Sequence, residues 1–522
     1  MEAFFAWING IIWSNALIAL CLGAGLWFSF RTRFMQVRGF AEMCRLTVTG
    51  QKSDAGVSSF QALAISMAGR MGIGNIAGVA TAIAYGGPGA VFWMWVMGFL
   101  GASTSYIECT LAQIYKEKDA EGRYRGGPAY YIEKAMGLKW YAVAFAVATV
   151  VATGLLLPGV QANAIADSAS NVLCGAGACE AVGGPGALKL WLGVGVAAVL
   201  ALIIFGGIKR IATFAEVVVP FMALAFILMA VIVMIANASK VPAMFADIFS
   251  SAFGAHAAFG AIIGQAIAWG VKRGIYANEA GQGTGPHAAA AAEVSHPAKQ
   301  GFVQAFAVYI DTLFVCSATA FIIISTGAYR VYSDGSGSGL LFEGIVSPTA
   351  SEGPAFVQTG FDAVFSGFGP TFVAVALAFF AFTTIVAYYY MAEVNLVFLT
   401  RNLRNGMVRR VVLRFLQALI LVSVAYGAVA TTGAAWGLGD IGVGSMAWLN
   451  ILGILVLQGP ALKALKDYRA QKRQGLDPQF DPRPLGIRNA DFWEHRADGL
   501  ITQGVAGTAE HPIVTEGGAH RA

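Results

Sequence analysis

Residues 69 to 83 read "GRMGIGNIAGVATAI". The run lies in one of the most apolar parts of the chain. Even so, three glycines, an arginine and an asparagine fall within residues 69–75. Glycine costs about 1 kcal/mol against alanine in a helix interior. At membrane depth, clusters of it are tolerated only where the freed backbone lines a cavity or binds something. Close helix packing of the small-xxx-small kind explains Gly74 and Gly78. It explains neither Arg70 nor Asn75. The stretch therefore reads as a membrane span broken for a chemical purpose.

The rest of the chain sets that break in a membrane. Of 522 residues, 57% are hydrophobic and 12% charged. Soluble chains carry roughly a quarter charged residues. Mean hydropathy is +0.65. The composition indicates a polytopic, all-α membrane protein. The net charge of +5 is small, and no block of like charge points to nucleic acid. Cys21, Cys44, Cys109 and Cys316 lie in or beside apolar segments and pack as small hydrophobes. Cys174 and Cys179 fall in a loop placed outside, where an oxidising compartment would join them. No His/Cys pairing suggests a metal cluster.

Apolar stretches able to cross about 30 Å of hydrocarbon fall near 9–30, 57–85, 89–115, 140–170, 189–206, 212–236, 257–280, 300–328, 366–400, 411–432 and 442–462. Eleven spans are expected, or ten and a re-entrant segment. The alternating loops then hold thirty lysines and arginines on one side. The other side holds only Lys189, Lys240 and Arg330, and Arg70 lies within a span. By the positive-inside rule the N-terminus is outside and the C-terminus cytoplasmic. The loop 329–365 reads as a partly ordered outer flap. The charged tail from 463 is expected to lose order from about 500.

A second span is also a poor helix. Residues 257–280 lead into "WGVKRGIYANEAGQGTGP" (269–286). The two interrupted spans are the second and the seventh, so each leads a set of five. Five is odd, so the second set enters the membrane with opposite polarity. The expected organisation is an extra N-terminal helix and loop (1–56), two inverted five-helix repeats (57–256 and 257–462) and a tail (463–522). In such folds half-helix N-termini face anions while unwound carbonyls hold cations. The N–H groups of Gly72, Ile73 and Gly74 are candidates for a substrate carboxylate. The carbonyls of Ala68 and Met71 are candidates for a small cation such as Na⁺.

Other spans add polar groups. Thr383 and Thr384, in "FFAFTTIVAYYYMAE", either bond back to a carbonyl one turn earlier or ligate a cation. Gln161 and Asn163 cannot face the same way on a helix. Gln161 contacts either the substrate or a neighbouring helix. Arg70, Glu108, Glu279, Asp311 and Glu393 lie at or near membrane depth and should be paired or face water. Arg70 either anchors a carboxylate or makes an ion pair that closes the inner half. No metalloprotease, nucleophile-elbow or P-loop motif is present, so no enzyme is expected.

Three motifs together, "GIGNIAGVATAI" (72–83), "VQANAIAD" (160–167) and "GVKRGIYANEAGQG" (270–283), resemble the alanine or glycine:cation symporter family. The resemblance covers about residues 57 to 460. It implies a LeuT-type core of five plus five inverted helices behind one extra helix. It also implies inward transport of alanine or glycine driven by Na⁺, and in some members by H⁺. Gly72, Ile73, Gly74 and Asn75 would meet the substrate carboxylate. Ala68, Met71, Thr383 and Thr384 would hold Na⁺, and Trp269 and Gly270 would bound the substrate side chain. Ile73 stands where members often have Thr or Ser, and Gln282 where Met is common. The expected protein is a multi-pass transporter of a bacterial-type plasma membrane. It would act as a monomer among lipids, on a small neutral amino acid. A proton-coupled carrier of another small carboxylate or amino acid is the alternative. A channel would need a repeated filter or a continuous polar stripe.

Overall fold

The computed structural model describes residues 2–49, 56–119, 121–175, 177–256, 259, 262–334, 337–348, 350–403 and 405–499. Its principal helices are α1 (Asn15–Arg31), α2 (Ser59–Arg70), α3 (Val79–Gly86), α4 (Gly89–Ile114), α5 (Lys139–Val151), α6 (Leu157–Gly175), α7 (Pro185–Ile204), α8 (Gly207–Ala236), α9 (Ile263–Asn278), α10 (Gly285–Ala291), α11 (Pro297–Tyr309), α12 (Ser317–Thr326), α13 (Gly369–Thr400), α14 (Gly406–Val429), α15 (Thr432–Arg473) and α16 (Asp491–Ala497). Among the described residues, nine helices or continuous helical runs are long and apolar enough to cross a membrane. The pair Ser59–Arg70 and Gly74–Gly86, bent by 52°, makes a tenth span.

α2 begins where Ser58 accepts from the Gln61 N–H while the Gln61 side chain accepts from the Ser58 N–H. This capping box satisfies donors that a helix start leaves orphaned. The helix stops at Met71, whose ψ of 69° leaves the helical region. Chain order resumes as a π-turn at Gly74–Gly78 and then α3. Further π-turns join α5 to α6 (Ala152–Leu156) and α11 to α12 (Ile310–Cys316). Such turns mark functional positions more often than chance.

The second interrupted span differs from expectation in extent. It does not end near 280 but resumes as α10 after residues 279–284. Lys272 and Arg273, counted above among loop residues, lie within α9. Both pair with Asp440 of α15, at 2.6 Å and 2.9 Å. Charge counting had no way to see that partner. At the far ends of the two broken spans, Val57 pairs with Ala292 in a parallel bridge. Val57 N–H donates to Ala291 O and Glu293 N–H to Val57 O.

The loop 329–365 contains an antiparallel hairpin, Arg330–Tyr332 with Leu340–Glu343, and a helix, Pro354–Asp362. Cys174 and Cys179 are joined as a disulfide, with Cα atoms 4.8 Å apart. α15 runs on into the charged tail as far as Arg473. Beyond it Phe480, Phe492 and Trp493 are buried, and Trp493 Nε1 donates to Gln113 O at 2.7 Å. The expected loss of order from about 500 lies outside the described residues.

Candidate functional site

The two breaks lie against each other. At the first, a Cβ on Gly74 would sit 3.1 Å from Tyr276 Cδ1 and 3.2 Å from Ala277 Cα, both on α9. A larger residue there would force α9 to shift by a few tenths of an ångström. At the second, α9 ends at Glu279 in the left-handed region (φ 58°), followed by Gly281 (φ 88°) and Gly283 (φ 83°). Side chains other than glycine are strained at such angles.

Around the first break the expected cation ligands come together in part. Thr384 Oγ1 donates to Ala68 O at 2.8 Å and to Phe380 O at 3.0 Å. A carbonyl and a hydroxyl 316 positions apart in sequence thus share one point. Met71 is fully buried at the helix end. Thr383 is turned elsewhere: its hydroxyl donates to Phe380 O at 2.9 Å and lies 3.9 Å from Met222 Sδ on α8. Hydroxyl and carbonyl oxygens are suitable ligands for a hard cation.

The expected substrate contacts are brought together around Gly72. Gln161 Oε1 accepts from Ile73 N–H at 3.0 Å, and Asn75 Oδ1 from Gly72 N–H at 3.2 Å. A Cβ on Gly72 would sit 2.6 Å from Thr384 Oγ1 and 2.9 Å from Gln161 Oε1. Gln161 therefore faces the break, while Asn163 donates to Gly427 O and Ala430 O on the far side of α6. These N–H groups have side-chain amide oxygens as partners. Asn75 also donates to Asp311 Oδ1 at 2.6 Å, on the π-turn between α11 and α12.

Trp269 and Gly270 lie more than two turns before the second break. A Cβ on Gly270 would sit 2.5 Å from Trp93 Cβ and 2.6 Å from Ala90 O, so this glycine faces α4. The Trp269 ring packs on Tyr85 with centroids 4.8 Å apart, above the Lys272–Arg273–Asp440 group. The α9 residues that do reach the first break are Tyr276 and Ala277. Sequence reasoning missed them, and it missed Tyr388, whose hydroxyl lies against Gln161. Tyr388 follows Thr384 by four positions and so shares its helix face. That spacing was a readable signal.

Among the five ionisable residues singled out by depth, Glu393 alone makes an ion pair, with Arg125 at 2.6 Å. Glu108 accepts from Gly281 N–H at 3.2 Å and Asn450 Nδ2 at 2.7 Å. Arg70 donates to Gln304 O and Ser105 Oγ and forms no ion pair among the described residues. The expected ion pair is therefore not formed among the described residues.

Long apolar helices, one of them interrupted at membrane depth, fit an integral membrane transporter. The model of the sodium:alanine symporter family matches residues 1–482, and the chain belongs to that family. It is 54% identical over 495 residues to YrbD of Bacillus subtilis, covering 95% of this chain and 98% of that protein. It is 48% identical to a sodium/proton-dependent alanine carrier protein of Bacillus sp. PS3, over 87% of this chain and 97% of that one. It is 36% identical to the sodium/alanine symporter AgcS of Methanococcus maripaludis, over 88% and 96%. The family is one of cation-coupled carriers, not of enzymes.

Proposed function

We propose that this protein carries a small neutral amino acid, alanine or glycine, into the cell together with Na⁺. It does so by alternating access of a LeuT-type core of five plus five inverted helices behind one extra helix. The observation that carries the reading is the Thr384–Ala68 contact beside the Gln161–Ile73 contact at one broken helix. The substrate carboxylate takes the N–H groups of Gly72 and Ile73, with Gln161 and Asn75 adjusting around it. Na⁺ is held by Ala68 O, Met71 O and Thr384 Oγ1, while the Thr383 hydroxyl, which faces Met222, stays off the ion. Trp269 shields the outer approach. The N-terminus lies outside and the tail in the cytoplasm of a bacterial-type plasma membrane. The carrier works as a monomer.

Energetically, one Na⁺ moving down 100 mV supplies about 2.3 kcal/mol. That sustains about 50-fold accumulation before any concentration gradient. Radiolabelled alanine uptake into proteoliposomes, with and without a Na⁺ gradient, is the direct test. Saturable uptake that follows the gradient is expected. Uptake indifferent to Na⁺, or ohmic single-channel current, would defeat the reading. Uptake driven by a proton gradient alone would replace Na⁺ with H⁺ as the coupling ion.

A further inference from the structure

The charged tail packs where the transport scheme needs movement. Residues 477–496 form an ordered strap at the far ends of the two broken spans, and its Phe480, Ile487, Phe492 and Trp493 are buried. The strap clasps residues 292–296, the link between α10 and α11. Phe480 N–H donates to Ser295 O at 3.1 Å, and Ser295 Oγ donates to Pro478 O at 2.8 Å. Arg496 Nη1 donates to Val294 O at 2.8 Å. The same link carries the parallel bridge from Ala292 to Val57, two residues before α2. Asp477 of the strap also lines a cavity of about 240 Å³ with Ser59, the first residue of α2. The link is thus shared between the start of the first broken span and the strap.

A second set of contacts fixes the strap to α4 and α11. Trp493 Nε1 reaches Gln113 O on α4 at 2.7 Å, and Gln113 Nε2 donates in turn to Ala292 O at 2.9 Å. Lys299 of α11 pairs with Asp477 at 2.7 Å, and Lys134 pairs with Asp491 at 2.7 Å. Both aspartates are more than half exposed, so solvent screens these pairs and they add little. The strap is held mainly by its buried aromatic residues and its hydrogen bonds. One contact works against it. Lys116, fully buried just past α4, donates to Ala292 O at 2.8 Å beneath the rings of Tyr124, Phe492 and Trp493, at 4.5 Å, 4.6 Å and 5.4 Å. Ring faces compensate a buried cation only in part. Water would replace two of those rings if the strap withdrew. The seated strap is therefore stabilised by less than its buried area alone implies, as suits a part that comes and goes.

We propose that residues 477–496 are a latch on the inner gate: the seated strap holds the far ends of the broken spans together, and it lifts before they part to release solute. For release, α2 must draw away from α10 and α11 on the tail side. Two contacts across that seam oppose the movement, the Val57–Ala292 bridge and the bond from Gln300 Nε2 to Ser59 Oγ at 2.7 Å. The bridge stands on the link that the strap clamps. A seated strap keeps the link in place for Val57, and a lifted strap frees it. The family model ends at residue 482, before Ile487, Phe492 and Trp493, so the latch goes beyond what the family match describes.

The proposal rests on the alternating-access reading, and the experiment separates the two. Lys299→Cys with Asp477→Cys, in the full-length chain, puts two thiols where that ion pair stood. A reducible bifunctional thiol reagent then ties the strap down. Alanine uptake into proteoliposomes is expected to be lost on linking and to return on reduction, while the parent treated alike is unchanged. Undiminished uptake by the linked protein makes the tail a static brace and overturns the latch. The second arm loosens the strap. Trp493→Phe keeps a ring and removes the N–H bonded to Gln113. Ser66→Cys, at a fully buried position on α2, reports opening. Its labelling by a membrane-impermeant maleimide is followed in inside-out vesicles, above the background of the native thiols. Trp493→Phe should speed that labelling about fivefold, as for losing one hydrogen bond. An unchanged or slower rate overturns the latch. If Trp493→Phe fails to fold, the linking arm decides, because it leaves the buried residues in place. Labelling needs no transport, so a parent that takes up no alanine defeats the symport reading and leaves the labelling rate to decide the latch.

Discussion

The two broken spans solve one problem differently. At the first, three freed backbone groups have side-chain partners: Ile73 N–H with Gln161, Gly72 N–H with Asn75, Ala68 O with Thr384. At the second, left-handed residues make the turn, and the carboxylate on it is left without donors. The first break is pre-organised, so a ligand exchanges with partners of the same kind and reorganisation is small. The second is turned by left-handed residues, and its buried carboxylate has no hydrogen-bond donor. The lesson is that glycine count alone does not say what a break is for. The backbone angles and the unpaired atoms do.

The largest effect should come from rigidifying the second break. A Cβ on Gly283 would meet Pro128 Cγ at 2.7 Å and Phe145 Cζ at 2.8 Å, with φ already at 83°. Gly283→Ala is expected to cost about 2 kcal/mol or more of stability. A thermal melt of the detergent-solubilised protein should show a lowered midpoint. An unchanged midpoint would mean that the second break relaxes freely and the contrast is false.

Next comes Thr384→Ala, which removes the hydroxyl on Ala68 O. The Na⁺ half-saturation for alanine uptake should rise by about 30-fold, as for losing a charge-assisted contact of about 2 kcal/mol. Alanine binding at saturating Na⁺ should change far less. Equal Na⁺ affinity in variant and parent would take Thr384 out of the cation site.

Gln161→Ala leaves the Ile73 N–H without its partner. With that competitor of the substrate carboxylate gone, the KM for alanine should fall by about tenfold, while the Na⁺ dependence keeps its shape. A rise in KM would show that Gln161 contacts the substrate directly.

Thr383→Ala should have the smallest effect, about a twofold change in Na⁺ half-saturation. Its hydroxyl already bonds one turn back to Phe380 O and faces Met222. A loss as large as that of Thr384→Ala would place both hydroxyls on the ion.

Much of this site was legible before any fold was known. Gly72, Ile73, Gly74, Asn75 and Ala68 sit on one short stretch, so glycine and polar residues in an apolar run sufficed. Thr384 and Gln161 were marked by polarity alone, and the fold brings both to Gly72. Trp269 and Gly270 were placed about two turns from the break. Five glycines and a proline over 270–286 do not say where a helix stops and restarts. Lys272 and Arg273 resembled loop charges because Asp440, their partner, is 160 positions away or more.

What the sequence determined by itself is local. Hydropathy requires spans, because unpaired backbone is costly in lipid. Clustered glycines interrupt two of them, because glycine alone carries no side-chain constraint on φ. Tertiary structure decided which way each polar side chain points and what it meets. Thr383 and Thr384 are neighbours in the chain, yet one faces Met222 and the other Ala68 O. Glu279 and Glu393 are both buried glutamates, yet one is orphaned and the other paired with Arg125. These outcomes depend on packing between helices far apart in sequence, and no local pattern encodes them.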